Sequence, residues 1–362
     1  MFPKLRFKEF DDDWSPYVLK DFVSFRKGKG ISKADISENG INECIRYGEL
    51  YTTYGQVIDH IHSKTNVSKS ECILSKAGDV IIPASGETQI DIATASCVLH
   101  DDIILSGDLN ILSHEENGSW LAYYLSSAKK LEIAQLAQGN SVVHLYSSQL
   151  KDLKINKPSK EEQTKIASFL SNVDEKISQL TKKHELLSQY KQGMMQKLFS
   201  QQIRFKADDG SEFGEWEGKE LHQIFQIKAG GDIEKSSVSE VRTSEFSYPI
   251  FANSDKNKGF YGWANKFKYK EAVTVTGRGN LGIAVARNEP FYPIVRLLVL
   301  LPLVKQNLKF FEEQINLLDI VSESTGVPQL TAPQLSKYKV NVPSLEEQTK
   351  IANFLSSIDQ KI

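Results

Sequence analysis

Residues 158–177 read PSKEEQTKIASFLSNVDEKI, and residues 343–362 read PSLEEQTKIANFLSSIDQKI; fifteen of these twenty positions are identical. The copies lie 185 residues apart, far beyond the roughly 20–50-residue period of solenoids and propellers. The stretches around them differ. A near-identical element between long dissimilar segments predicts a duplicated scaffold carrying two unlike heads.

The repeat reaches further in both directions. Upstream, Val142 matches Val327, Leu145 matches Leu330, and Gln149-Leu150 matches Gln334-Leu335. Downstream of the first copy, residues 171–202 contain no Pro and a single Gly, Gly193. Val173, Ile177, Leu180, His184, Leu187, Lys191, Met194 and Leu198 follow alternating steps of four and three, which is a heptad seam. The spacing predicts one helix of about 30 residues, roughly 45 Å long. A shorter echo sits at the seams: Leu5-Arg6-Phe7-Lys8 matches Ile203-Arg204-Phe205-Lys206, and each is followed by acidic residues and a tryptophan, Trp14 or Trp216. The N-terminus thus reads as the tail of a repeat unit whose beginning closes the chain, a circular plan.

The heads read as α/β or mostly β, an α+β chain with mixed sheets. Val80-Ile81-Ile82, bounded by Gly78 and Pro83, reads as a buried strand. Residues 271–290 read as strand, turn, strand. A helical segment follows in each head, around Trp120–Ala137 and Leu308–Ile320. The expected organisation is a head over 1–150, a helical region over 151–206, a second head over 207–335, and the start of a second helical region over 336–362.

Composition excludes several classes. At 362 residues and 40% hydrophobic the chain is globular. Its longest apolar run, Ile294–Val304, is interrupted by Arg296 and Pro302 and falls short of a membrane span. The first residues lack the apolar core of a signal peptide. Cys44, Cys72 and Cys97 form no CxxC pair, so they read as buried thiols of a cytoplasmic protein without metal. The net charge of −2 hides regional contrast. Lys+Arg against Asp+Glu is 14 to 20 over residues 1–150, 12 to 6 over 151–206, 14 to 17 over 207–335 and 4 to 3 over 336–362.

No catalytic constellation emerges. Gly277-Arg278-Gly279-Asn280-Leu281-Gly282 fits G-x-G-x-x-G, but the next residues form a strand ending at Pro290. A dinucleotide site needs a helix there, so these glycines predict a hairpin turn. Ser85-Gly86 and Ser141 lie in no motif that would place a base beside them, and no P-loop or methyltransferase tetrapeptide occurs. One stretch does suit nucleic acid. Lys256, Lys258, Lys266, Lys268, Lys270 and Arg278, with Asn280, are interleaved with Phe260, Tyr261, Trp263, Phe267 and Tyr269. Lysines neutralise phosphates, and an arginine on a turn reaches a base edge. The competing reading is a solvated strand edge with its aromatics turned inward. A weaker counterpart in the first head is Arg26, Lys27, Lys29 and Lys33 around Gly28 and Gly30, whose glycines would let backbone amides approach a phosphate; Ser85 is a further candidate there.

Taken together, the P-S-x-x-E-Q-x-x-I-A-x-F-L block at Pro158–Leu170 and again at Pro343–Leu355, the QL segments before it and the long helix after it resemble the specificity subunit of type I restriction–modification enzymes. The resemblance covers essentially the whole chain. It implies two target recognition domains, each reading one half of a bipartite, asymmetric double-stranded DNA site. Long helices in an antiparallel, coiled-coil-like spacer would hold them at a helical-turn separation and dock two modification subunits. Phe169, Val173, Ile177, Leu180, Leu187, Met194, Leu198 and Phe354 are the expected packing or docking positions. Adenine methylation with S-adenosylmethionine, and cleavage by restriction subunits with ATP and Mg²⁺, would belong to partners. This chain would be a non-catalytic, cytoplasmic protein without a cofactor of its own. Ending at Ile362, where a second long helix would begin, it is expected to assemble poorly with the second modification subunit. A coiled-coil scaffold with protein-binding heads is the alternative, favoured by the acidic balance of the heads.

Overall fold

A computed structural model describes residues 5–139, 142–320 and 329–362; Ser141 and Val327 lie outside the described residues. The chain divides into two compact units, Met1–Gln179 and Leu180–Ile362, and the boundary falls inside one helix, Lys160–Phe199. That helix has 40 residues, longer than the heptad seam alone predicts, because it begins within the repeat itself.

In the first unit, a five-stranded sheet runs Ser24–Lys27, Leu109–Ser113, Val80–Pro83, Ser96–Val98, Val57–Ile58. A four-stranded sheet runs Ser63–Thr65, Asn42–Ile45, Ile104–Leu105, Ile73–Leu74. The unbroken Val80-Ile81-Ile82 run has a direct cause. Val80 and Ile82 enter a core with Trp14, Trp120 and Leu121, whereas Ile81 enters another with Ile45, Leu50 and Ile111. A strand buried on both faces has no polar alternation to show. The helical segment expected over Trp120–Ala137 is broken into Gly118–Ser126 and Lys130–Leu136.

The second unit follows the same plan with different residues. One sheet runs Phe225–Ala229, Leu298–Pro302, Ala272–Val275, Ala284–Arg287; the other runs Val238–Ser239, Phe260–Ala264, Tyr248–Phe251, Tyr292–Pro293. The strand–turn–strand reading of residues 271–290 is an antiparallel pair in register Ala272↔Arg287 to Val275↔Ala284. The G-x-G-x-x-G segment is therefore a hairpin connection. Strand Phe260–Ala264 is flanked on both sides, so the expectation of a strand edge is corrected to an inner strand. The first of these sheets is antiparallel throughout, which corrects the expectation of mixed sheets there, and the second is mixed through the parallel pair Tyr248–Phe251 with Tyr292–Pro293.

The repeat's Glu-Gln dipeptide builds the same internal latch twice. In each unit a two-stranded ribbon leads into the repeat helix: Ser15–Val18 with Lys154–Lys157, and Glu217–Glu220 with Lys339–Val342. Ser159 and Ser344 cap the helices, accepting from the N–H of Glu162 and Glu347 at 3.3 Å each. S-x-x-E would ordinarily read as a capping box. Here the carboxylates turn elsewhere. Arg6 donates to both oxygens of Glu162 at 2.7 Å, and Trp14 Nε1 donates at 3.2 Å. Arg204 donates to Glu347 at 3.0 and 2.8 Å, and Trp216 Nε1 at 3.0 Å. Gln163 and Gln348 are equally matched. Each donates to the proline carbonyl at the block's start and accepts the backbone N–H of Asn117 or Asn307, which cap the next helices. Phe7 packs on Phe169 and Phe205 on Phe354, at centroid separations of 5.7 and 5.6 Å. The matched LRFK and IRFK segments are thus the partners of the repeat.

Two polar features also find their reasons. Lys191, a polar position in the expected seam, bridges Glu313 at 3.0 Å and Asp359 at 2.6 Å, tying the long helix to its neighbours in the second unit. Burial pushes the Cys44 and Cys97 thiols up to about 11, and Cys72 is only half-buried. Thiolate is the reactive form. A thiol-disulfide reagent at neutral pH is expected to label Cys72 first, and Cys44 and Cys97 only on unfolding, as mass spectrometry of the adducts would show.

Candidate nucleic-acid interface

The second unit gathers three turns. Strand Tyr248–Phe251 runs into residues 252–259, the 272–287 hairpin turns at Gly277–Gly282, and a third turn holds Val295 and Arg296. Two amide side chains hold them together. Asn253 accepts the Gly277 N–H at 2.7 Å and donates to the Val295 carbonyl, and Asn280 donates to Asp255 at 2.6 Å. The Asn280 amide holds the Asp255 carboxyl below its usual range. Gly277 must be glycine: a Cβ there would sit 2.7 Å from the Leu330 carbonyl oxygen.

Beneath these turns lies Arg287, which the sequence reading missed. Its side chain is buried, stacks 3.6 Å from the Phe251 ring centroid, and donates to Thr274 Oγ1 at 3.1 Å and to the Lys258 carbonyl. Burial pushes its guanidinium down to about 10, which still leaves it charged at neutral pH. It braces a sequence of left-handed residues, Asn257, Lys258 and Gly259 (φ 48°, 51° and 79°), that presents Lys256 and Lys258 to solvent.

The predicted residues are therefore only partly together. Lys256, Lys258, Arg278 and Asn280 share the linked turns and are exposed. Lys266, Lys268 and Lys270 are exposed on the connection before Ala272, which is bonded to the Phe291 carbonyl through the Lys268 and Tyr269 N–H groups. Of the interleaved aromatics, Tyr261 is the most exposed, at 61%. Phe260 packs on Phe251 and Trp263, Phe267 on Tyr248, and Tyr269 on Phe291. These contacts favour the inward-packed reading for most of them.

In the first unit, three expectations are overturned. Arg26 is held internally, donating to Asp79 at 2.5 Å, to Ser113 Oγ at 3.2 Å and to the Leu74 carbonyl at 3.1 Å. Ser85 is buried with its hydroxyl on His144 Nδ1 at 3.2 Å. The Gly28 and Lys29 amides are spent on the Leu109 and Leu105 carbonyls. The glycines serve packing instead. A Cβ on Gly28 would lie 1.9 Å from the Ser106 oxygen, and Gly30 has φ +116° beside the Cys72 sulfur. Lys27, Lys29 and Lys33 remain exposed, the first two on an open groove of about 650 Å³ that Asp35 and Asp108 also line.

The long helix shows its apolar seam to solvent. Phe169, Val173, Ile177 and Leu180 are exposed, Leu187 and Met194 half-buried, and Leu198 and Phe354 packed into the second unit's core. Of the positions expected to pack or dock, those at the helix's C-terminal end pack, where Met195, Leu198 and Phe199 meet Trp216 and Phe310.

This duplicated architecture has relatives. A family model described as the type I restriction modification DNA specificity domain matches residues 11–188 and 214–362, once for each unit. The chain belongs to that family. A putative type I specificity subunit from Mycoplasma pneumoniae is 27% identical over 94% of this chain and 88% of its own length. The MjaVIII type I restriction enzyme specificity subunit of Methanocaldococcus jannaschii is 25% identical over 97% and 87%. The crystal structure of the type I restriction–modification S subunit from M. genitalium matches in fold with a TM-score of 0.70 at 18% identity, covering 100% of this chain and 93% of that one. The type I specificity subunit carries the DNA specificity of its system, and the two family segments fall on two unlike heads over one repeated latch.

Proposed function

We propose that each unit of this specificity subunit reads one half of a bipartite, asymmetric double-stranded DNA site, and that the helical regions set the half-site spacing and dock two modification subunits. The observation that carries this reading is the doubled Arg–Glu–Trp latch: one scaffold is built twice, from matched residues, under two heads whose exposed loops differ. Unlike loops on a like frame suit two unlike half-sites. S-adenosylmethionine-dependent adenine methylation belongs to the modification subunits, and ATP- and Mg²⁺-dependent cleavage to restriction subunits. The present chain supplies recognition and needs no cofactor, and it acts in the cytoplasm of a bacterium or archaeon.

An electrophoretic mobility shift of the chain with its modification subunit tests this, run at two salt concentrations because phosphate contacts make affinity salt-dependent. Preference for one duplex over scrambled competitor, weakening as salt rises, supports the reading. Protein assembly with no DNA preference would favour the scaffold alternative, which the acidic balance of residues 1–150 recommends.

The exposed seam is assigned to docking. Ile177 and Leu180 are about half exposed (56% and 51%), so Ile177→Glu with Leu180→Glu is expected to change folding stability by less than about 0.5 kcal/mol per site. The same pair should reduce the number of modification subunits retained in native mass spectrometry. Unchanged stoichiometry would remove these positions from the docking surface.

A further inference from the structure

The turn at Val295–Arg296 has no sequence signature and an unusual backbone. Both residues adopt left-handed conformations, φ 51° and 59°. Glycine and asparagine tolerate that region, and a β-branched residue is a genuine outlier there. Burial offers no compensation, since Val295 is 47% exposed and Arg296 is exposed too. The conformation is imposed from outside by several bonds. Val295 and Arg296 donate their N–H groups to the Gly231 and Gly230 carbonyls at 3.1 Å each, and Asn253 donates to the Val295 carbonyl. Strain maintained by surrounding structure at an exposed position points from the backbone to a function.

What the strain achieves is placement. Asn253 holds the Gly277 amide with its other atom, so one side chain staples the Val295–Arg296 turn to the turn carrying Arg278. The backbones are adjacent: a Cβ on Gly277 would lie 3.6 Å from the Arg296 carbonyl oxygen. Neither guanidinium has a hydrogen-bond or ion-pair partner among the described residues, in contrast to Arg26, Arg204 and Arg287. The acidic neighbour of this group, Asp255, is engaged by Asn280.

We propose that Arg296 determines specificity in the second head, presented with Arg278 as a pair of guanidinium forks, and that Asn253 is the positioning residue that sets them. The proposal rests on the DNA-reading function. The chemistry recognised is a pair of adjacent acceptors, which guanine offers through O6 and N7 in the major groove. Backbone phosphates offer paired oxygens to the same fork, and the test separates the two.

The target site is first defined by methylome sequencing of a host carrying the wild-type complex. The holo-complex is then titrated with that duplex, with duplexes changed at each position, and with scrambled DNA. Arg296→Ala is expected to lose about 10–100-fold in affinity for the target, the range of one bidentate base contact, with little loss on scrambled DNA. Discrimination should relax at a position in one half-site only. Arg296→Lys keeps the charge without the fork and should show the same relaxation. Asn253→Asp keeps the acceptor for Gly277 and loses the donor to Val295; it should lower discrimination with both arginines intact. Equal loss on target and scrambled DNA, with the salt slope reduced by about one, would make Arg296 a phosphate contact and overturn the proposal. So would unchanged discrimination in an Arg296→Ala complex with wild-type melting. If the wild-type complex itself shows no preferred duplex, the DNA reading fails, and this inference with it.

Discussion

Glu347→Ala is expected to destabilise the second unit by about 3–5 kcal/mol, the loss that follows removal of one partner from a buried ion pair. The side chain is fully buried, and three donors converge on it from Arg204 and Trp216. Alanine leaves Arg204 Nε and the indole N–H without an acceptor, with only the Gly214 carbonyl still bonded to the guanidinium, and each unsatisfied group bears its own desolvation cost. Leu221, Leu335 and Leu355 belong to the same core as the helix that Glu347 opens, so the damage spreads through that unit. Glu347→Gln retains one acceptor oxygen and should fall between. In denaturant unfolding, the variant should lower one transition and leave the other in place, because Glu162 and its partners in the first unit are untouched. A shift under about 1 kcal/mol would show that the latch is not what holds the helix to the unit.

The duplicated plan was legible because identity at a fixed offset survives in one dimension, and the LRFK and IRFK echo located the ends of each repeat. The purpose of the Glu-Gln dipeptide was not, because the partners of Glu162 lie 156 and 148 positions away. The seam was legible as periodic, but which of its positions pack within the chain was not: spacing reports which residues share a face, and exposure depends on what lies against it. Arg26 and the glycines around it look like a phosphate cradle in sequence. Asp79, Ser113 and the Leu109 and Leu105 carbonyls, which occupy those groups, come from positions distant in sequence within the unit. Arg296 was visible only as an interruption of an apolar run. Its left-handed backbone is set by Gly230, Gly231 and Asn253, more than 40 positions upstream, and neither Val295 nor Arg296 signals a turn.

Exchange of the second head is expected to have the larger functional effect. Replacing residues 216–335 with the corresponding segment of another specificity subunit, with the tryptophan retained at 216, leaves Arg204, Glu347 and Gln348 in place. The ribbon of Glu217–Glu220 with Lys339–Val342 would still form, because its ladder is backbone to backbone. Phe310 and Leu335 come with the donor segment and must be apolar there too, since both are buried against the repeat helix. The frame is therefore the recipient's and the exposed turns are the donor's. Such a chimaera should direct its modification subunits to a site with one half-sequence changed completely and the other half-sequence retained.

Single-molecule methylome sequencing of a host carrying that chimaera with its modification subunit tests two independent readers on one duplicated frame most directly. A site that keeps the first half and gains the donor's second half is the predicted result. Change in both halves, or an unaltered site, would contradict it.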